Sequence, residues 1–169
     1  MSTATERISK MDKYDCTKDV TEHIFKVGLR IKEIKCLLES RADTHDASKL
    51  QEPEKSMFDE WTPKLKLFEF GSAEYKDALV KMGDALKHHY ANNRHHPEHF
   101  DGICDMNLID IVEMLCDWIV AAETKGNAID LEYLADRFGI EDQLTLIIYH
   151  TLQMLDVNTK PVDILGEHP

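Results

Sequence analysis

Residues 108–125 constrain this chain more than any other stretch. Leu108, Ile109, Ile111, Val112, Met114, Leu115, Trp118, Ile119 and Val120 form an apolar run of helical length. Asp110, Glu113 and Asp117 lie inside it at spacings of three and four, hence along one helix face. Burying an unpaired carboxylate is costly, so a fold that takes in this helix must bring its acids a partner. A metal ion or the chain's histidines would serve. Asp117, between Cys116 and Trp118, is the most deeply embedded of the three. Asn107 with Asp110 predicts a capping-box start, and Gly126-Asn127 a glycine-type end.

Helical spacing recurs along the chain. Val20, Ile24, Val27, Leu29, Ile31, Ile34, Leu37 and Leu38 predict an amphipathic helix over 15–40. Met57, Phe58 and Trp61 belong to a second helix, interrupted near Pro63, whose acids Glu52, Glu54, Asp59 and Glu60 read as a solvated face. Ser72 is placed to cap a helix from Ala73 to Arg94 that turns Leu79, Val80, Met82, Ala85 and Leu86 inward. Two more helices are predicted over 130–138 and 141–156, with Asp130 capping the first. No stretch alternates as a strand would, and seven glycines and five prolines are few for a β-rich or disordered chain. The expectation is an all-α, single-domain helical bundle spanning 1–169. Its core falls at about 15–125, with a C-terminal helical extension over about 130–157 and a loosely packed terminus from Pro161 to Pro169.

A formal charge of −12 with no basic run excludes nonspecific binding to a nucleic-acid backbone. It would also repel an anionic substrate, unless a bound cation reverses the local field. Cys16, Cys36, Cys104 and Cys116 show no CxxC spacing and read as reduced, structural thiols. No apolar run is long enough to span a membrane, and Met1 to Asp12 lack a signal-peptide core, so a cytoplasmic protein is expected. The oligomeric state stays open, since no face stands out as a dimer seam.

The most unusual local feature is His88-His89-Tyr90-Ala91-Asn92-Asn93-Arg94-His95-His96-Pro97-Glu98-His99. Two His-His pairs lie seven positions apart, so His88 and His95, or His89 and His96, could share a helix face. Pro97 ends or bends that helix. Neutral imidazole is a common metal ligand, and one solvated helix end does not account for so many. Earlier in the chain stands His45-Asp46-Ala47-Ser48-Lys49, where Lys49 can approach the Asp46 carboxylate or an anion held nearby. His23 lies on or beside the first helix's apolar stripe, a position usually taken by a satisfied core histidine, with Asp19 one turn earlier. Mixed imidazole and carboxylate ligands suit Mn, Fe, Co, Ni or Zn, and the absence of nearby cysteine argues against a thiolate zinc site.

Taken in order, His23, His45-Asp46, the two His pairs and Asp117 resemble the HD-domain superfamily of metal-dependent phosphohydrolases. His23, His45, Asp46 and Asp117 match its minimal four-ligand pattern, and His45-Asp46-Ala47-Ser48-Lys49 resembles its His-Asp-x-Gly-Lys form with Ser48 in place of glycine. His95-His96-Pro97-Glu98-His99-Phe100-Asp101-Gly102 is similar to the His-His-Glu-x-x-Asp-Gly stretch of the HD-GYP branch. Pro97 is inserted there and no Gly-Tyr-Pro follows, so cyclic-dinucleotide specificity does not carry over. The chain is more closely similar to an HD-like family of bacterial and phage proteins with no known substrate. That family pairs His-Asp-x-Ser-Lys with His-His-x-x-Asn-x-His-His-Pro-Glu-His and a later Glu-Met-x-x-Asp-Trp.

The resemblance implies hydrolysis of a phosphate ester, with a nucleotide as the expected substrate, by water activated on one or two divalent transition-metal ions. The ligands would come from His23, His45, Asp46, Asp117 and members of His88, His89, His95 and His96, with Asp110 a rival to Asp117. Lys49 could stabilise charge on the phosphate, Arg94 could clamp the substrate, and Glu98 or Glu113 could orient or deprotonate the water. Two other expectations are an HD-like di-iron oxygenase and a non-catalytic, metal-containing module that binds a nucleotide or a protein.

Overall fold

The computed structural model describes residues 14–69 and 71–162. Their fold is all-α. Six helices follow in order: α1 (Thr17–Thr44), α2 (Glu54–Leu65), α3 (Ala73–Asn92), α4 (Leu108–Lys125), α5 (Leu131–Phe138) and α6 (Asp142–Met154). No strand occurs among the described residues; one isolated parallel bridge joins Ile129 to Thr159. Met1 to Asp12 and most of the Pro161–Pro169 terminus lie outside the described residues. Contacts divide the chain into two compact units, Met1–Glu39 and Ser40–Pro169.

The described part of the first unit is mostly α1, and it departs from expectation. The apolar stripe is present, yet no residue of α1 is buried. His23 is exposed with it, so it is not a satisfied core residue. The ion pairs Lys26–Glu22, Arg30–Glu33 and Lys35–Glu39 run along the helix surface. At such exposure each contributes at most a few tenths of a kcal/mol.

In the second unit, local sequence sets the helix ends. Ser72 Oγ accepts the Tyr75 amide at the start of α3. The Asn107 side chain accepts the amides of Ile109 and Asp110, while the Asp110 carboxylate accepts the Asn107 amide, which completes the capping box of α4. Asp130 caps α5 by accepting the Tyr133 amide, and Gly126 and Gly139 end α4 and α5 in left-handed conformation. Pro63 does not stop α2, which runs on to Leu65. α3 is kinked at Gly83, whose φ of 34° would strain any side-chain-bearing residue. Ala78, Met82 and Ala85 face inward from α3, whereas Val80, expected inside, is exposed.

The core lies further along the chain than the periodicity suggested. Leu115 of α4 packs with Ile129, Leu131, Leu134, Ile148 and Leu152, all from the segment expected to be an extension. A second cluster joins Ile103, Met106, Met114 and Ile140. The residues after 125 are therefore part of the interior against which α4 is anchored. All four cysteines are free and exposed, so none is a structural thiol of the core.

Candidate metal centre

Two chain breaks and one helix face bring the polar residues together. α1 ends at Thr44 and a 3₁₀ turn begins at Ala47, leaving His45 and Asp46 in between. Asp46 has a left-handed backbone, φ 56°, which aspartate tolerates better than most residues. On a continuous helix these neighbours would diverge by about 100°; here both reach the same cluster. α3 carries His89 at its C-terminal end, and the extended Asn93 turns the chain so that His95 and His96 fold back beside it. α4 supplies Asp117 and Glu113 from the face that looks at this corner.

The ligand atoms form two adjoining groups that share Asp46. In one, Asp46, His89, His95 and His96 each offer an atom, all within 4.8 Å of one another. Asp46 Oδ1 lies 3.3 Å from His89 Nε2 and 3.5 Å from His95 Nε2, and His89 Nε2 lies 2.9 Å from His96 Nε2. In the other, His45 Nε2 lies 3.6 Å from Asp46 Oδ2 and 3.7 Å from Asp117 Oδ1. The two oxygens of Asp46 thus face different neighbours. A third overlapping group, His45, His95 and Glu113, also has atoms close enough to hold an ion. Asp46 Oδ1 and both ring nitrogens of His95 are buried without a hydrogen-bond partner. Buried polar atoms of native proteins are nearly always satisfied, so these orphans fit a cation as their missing partner.

The opposite nitrogens of the rings are held from behind. Glu54, fully buried at the start of α2, accepts from His89 Nδ1 at 2.9 Å and from His88 Nδ1 at 2.7 Å. The Ser48 hydroxyl also donates to Glu54, and the Asn93 amide donates to Ser48. Glu113 Oε1 accepts from His45 Nδ1 at 3.0 Å and lies 3.2 Å from His95 Nδ1, while Arg41 donates to its other oxygen. An imidazole that donates through Nδ1 keeps the Nε2 lone pair for a ligand site, the usual arrangement behind metal-bound histidines.

Electrostatics divide the histidines in two. The Asp117 carboxylate beside His45, helped by Glu113 and Asp46, outweighs burial and raises the His45 pKa to about 9. Burial, then the nearby rings of His95 and His89, lowers His96 to about 3. Burial also lowers His89 and His95, so these three rings are neutral at pH 7 and ready to ligate. Burial alone would raise Asp46; the Lys49 ammonium beside it prevails and keeps the carboxyl below its usual value.

Not every expected site residue reaches the cluster. Among the described residues His23 belongs to none of the three groups. His88 points to Glu54 from the outside and remains 42% exposed. Asp110 is buried but turned away from the histidines: Arg94 Nε and Nη2 donate to it at 3.1 and 2.9 Å, and Arg41 Nη2 at 2.6 Å. Asp117, by contrast, lies beside His45; Arg94, held by Asp110, also lies over the Phe100 ring. Glu98 is 3.4 Å from Arg137 at the surface. Glu113 stands behind the His45 imidazole, which it orients through Nδ1, and beside His95. The residue missed by sequence reasoning is Glu54. Its signal was slight: one acid among several in a helix, distinguished only by following Pro53.

A cleft of about 1720 Å³ within the second unit opens onto the centre. His89, His96, Asp117 and Lys49 are among its lining residues, and Lys49 also ion-pairs with Asp46 and sits 5.0 Å above the Phe58 ring. Trp118, Ala121, Ala122 and Lys125 carry one face of α4 along the cleft, so its wall extends about 12 Å from Asp117 to Lys125. Leu79, Met82 and Leu86 line it from α3.

No helix among the described residues is long and apolar enough to cross a membrane. No curated protein and no solved structure matches the chain. One family profile does match, over residues 12–154, and on that coverage the chain belongs to DUF5662, a family of unknown function.

Proposed function

We propose that this protein is a cytoplasmic, metal-dependent phosphohydrolase that cleaves a phosphate ester, with a nucleotide as substrate. The observation that carries the reading is the buried, partnerless Asp46 Oδ1 and His95 pair at the point where His89, His96, His45 and Asp117 converge, with His89, His96 and Asp117 also lining an open cleft. Asp46, His89, His95 and His96 would hold one divalent transition-metal ion, and Asp117, the second oxygen of Asp46 and His45, on giving up its proton, another. Ions of this kind make water nucleophilic near pH 7 and polarise phosphoryl oxygens.

The protein's own groups supply the rest. Glu54 and Glu113 fix the imidazoles so that their free nitrogens face the cluster. Lys49, at the mouth of the centre, is placed to exchange its Asp46 contact for a phosphoryl oxygen and to offset the charge that builds there. The apolar walls of Leu79, Met82, Leu86 and Trp118 take the body of the ester and keep bulk water from it.

Asp46→Ala tests both halves. Protein purified without added metal or an affinity tag should contain one or two equivalents of Mn, Fe, Co, Ni or Zn by elemental analysis. The variant should lose them together with phosphate release from a nucleotide panel. Full occupancy in the variant would refute the ligand assignment. Bound iron with oxygen uptake and no phosphate release would point to the oxygenase chemistry instead.

A further inference from the structure

Two segments of the second unit add charged side chains to the cleft beside the ligands of the centre. Glu98 comes from the 3₁₀ turn Pro97–His99, just after His96, and Arg137 comes from α5. Both line the cleft, as do His96 and Asp117. Arg137 is seated on a stack of rings. Its guanidinium carbon lies 4.6 Å over Phe138, which stacks on Trp118 with centroids 5.7 Å apart and planes 12° from parallel. Trp118 in turn follows Asp117 in α4. Tyr90 joins the pair to the centre from another side, its ring in T-shaped contact with His96 at 5.0 Å. Burial raises the Tyr90 phenol pKa to about 12; the Glu98 carboxylate adds to the rise and Arg137 opposes it. Both charges are therefore felt at that ring.

The ion pair itself is loose. Arg137 Nη2 donates to Glu98 Oε1 at 3.4 Å, well beyond the about 2.7–2.9 Å of a strong charge-assisted bond. A pair this long, with both side chains partly exposed, adds little to stability and yields readily to a ligand. What it presents to the cleft is a donor-only guanidinium beside an acceptor-only carboxylate. Guanine is the base that answers both in full. Its O6 and N7 accept two guanidinium bonds, and its N1–H and N2 amino group donate two parallel bonds to a carboxylate. Adenine, cytosine and uracil each lack that pair of neighbouring donors, and adenine also sets an amino group where guanine has O6. We propose that Arg137 and Glu98 read the base edge of a guanine nucleotide and are the specificity-determining residues of the cleft. The inference rests on the centre's acting on a nucleotide.

Calorimetric titration of the full chain with nucleosides tests the proposal, because guanosine, adenosine, cytidine and uridine carry no phosphate to hydrolyse. Guanosine should bind at least about tenfold more tightly than the other three. 7-Deazaguanosine, which lacks N7, should lose about tenfold on the parent and no more than about twofold on Arg137→Gln. Inosine, which lacks the N2 amino group, should behave likewise on the parent and on Glu98→Gln. The analogue losses on the parent do not depend on whether either variant folds. Equal binding of the four nucleosides, or binding of none, overturns the proposal. So does an analogue penalty that persists in full in its matching variant. Phosphate release from the four 5′-monophosphates separates this inference from the reading it rests on. Release from all four alike would overturn guanine specificity and leave the hydrolase standing. Guanosine-selective binding with no release would overturn the hydrolase and leave the base site standing.

Discussion

At the residue scale, Glu54 is the group whose removal discriminates most sharply between a metal centre and a packed polar cluster. Burial would raise its pKa, but hydrogen bonds from His88, His89 and Ser48 prevail and hold it ionised. It therefore stands behind His89 as a charged acceptor and makes no contact with an ion itself. Loss of such a supporting group ordinarily lowers metal affinity 10- to 100-fold. Glu54→Gln, which keeps the shape and loses the charge, should weaken binding within that range in a chelator-competition titration while the circular dichroism stays that of the parent. Unchanged affinity would mean that His89 is not held for an ion. Lys49 makes the complementary case: Lys49→Ala should leave metal content intact and lower kcat for phosphate release by about 10²-fold, the scale found when one charge-stabilising donor is lost. An equal loss of metal would make Lys49 part of the ion site's structure.

At the scale of elements, α4 shows how an apolar helix carries three acids. Asp117 faces the cleft, Glu113 supports the His45 imidazole, and Asp110 closes the helix's capping box while binding two arginines. Removing one member of a buried pair costs about 3–5 kcal/mol. Because Arg94 is partly exposed and can turn to water, about 2–3 kcal/mol is expected for Asp110→Ala, read as a shift in the urea midpoint at constant slope. The pH dependence has a definite sign. Burial would raise the Asp110 carboxyl, but hydrogen bonds from Arg94 and the Asn107 amide, with the charges of the arginines, hold it below its ordinary value. A carboxylate with a depressed folded pKa stabilises the protein above its unfolded pKa of about 3.9, and that contribution disappears as pH falls through the folded value. The stability gap between the parent and Asp110→Asn should accordingly be full at pH 6 and shrink below about pH 4.

For the whole molecule, the metal reading ties stability to the ion. A ligand that binds only the folded state at 100 times its Kd adds about 2.7 kcal/mol. For a chain of this length, that corresponds to a rise in Tm of roughly 5–10 °C. Saturating the preferred ion should therefore raise the melting temperature of the parent by that amount and leave Asp46→Ala unmoved. A rise shared by both would trace to ions condensed on the acidic surface, which a net charge of −12 attracts.

Sequence by itself determined the elements and much of the residue cast. Helical periodicity, the Ser72, Asn107 and Asp130 caps, and the glycines at 126 and 139 are local signals, because a helix is closed by hydrogen bonds between near neighbours. The crowding of imidazoles at 88–99 and the His45-Asp46 pair were legible for the same reason: their chemistry shows in composition. Partnership was not legible. That Asp117 faces the histidines while Asp110, seven residues earlier on the same helix, meets Arg41 and Arg94 depends on which elements surround α4. That Glu54 is buried behind His89 depends equally on what covers each face. Period reveals which residues share a face; burial and pairing are relations between segments far apart in the chain, and only tertiary packing decides them.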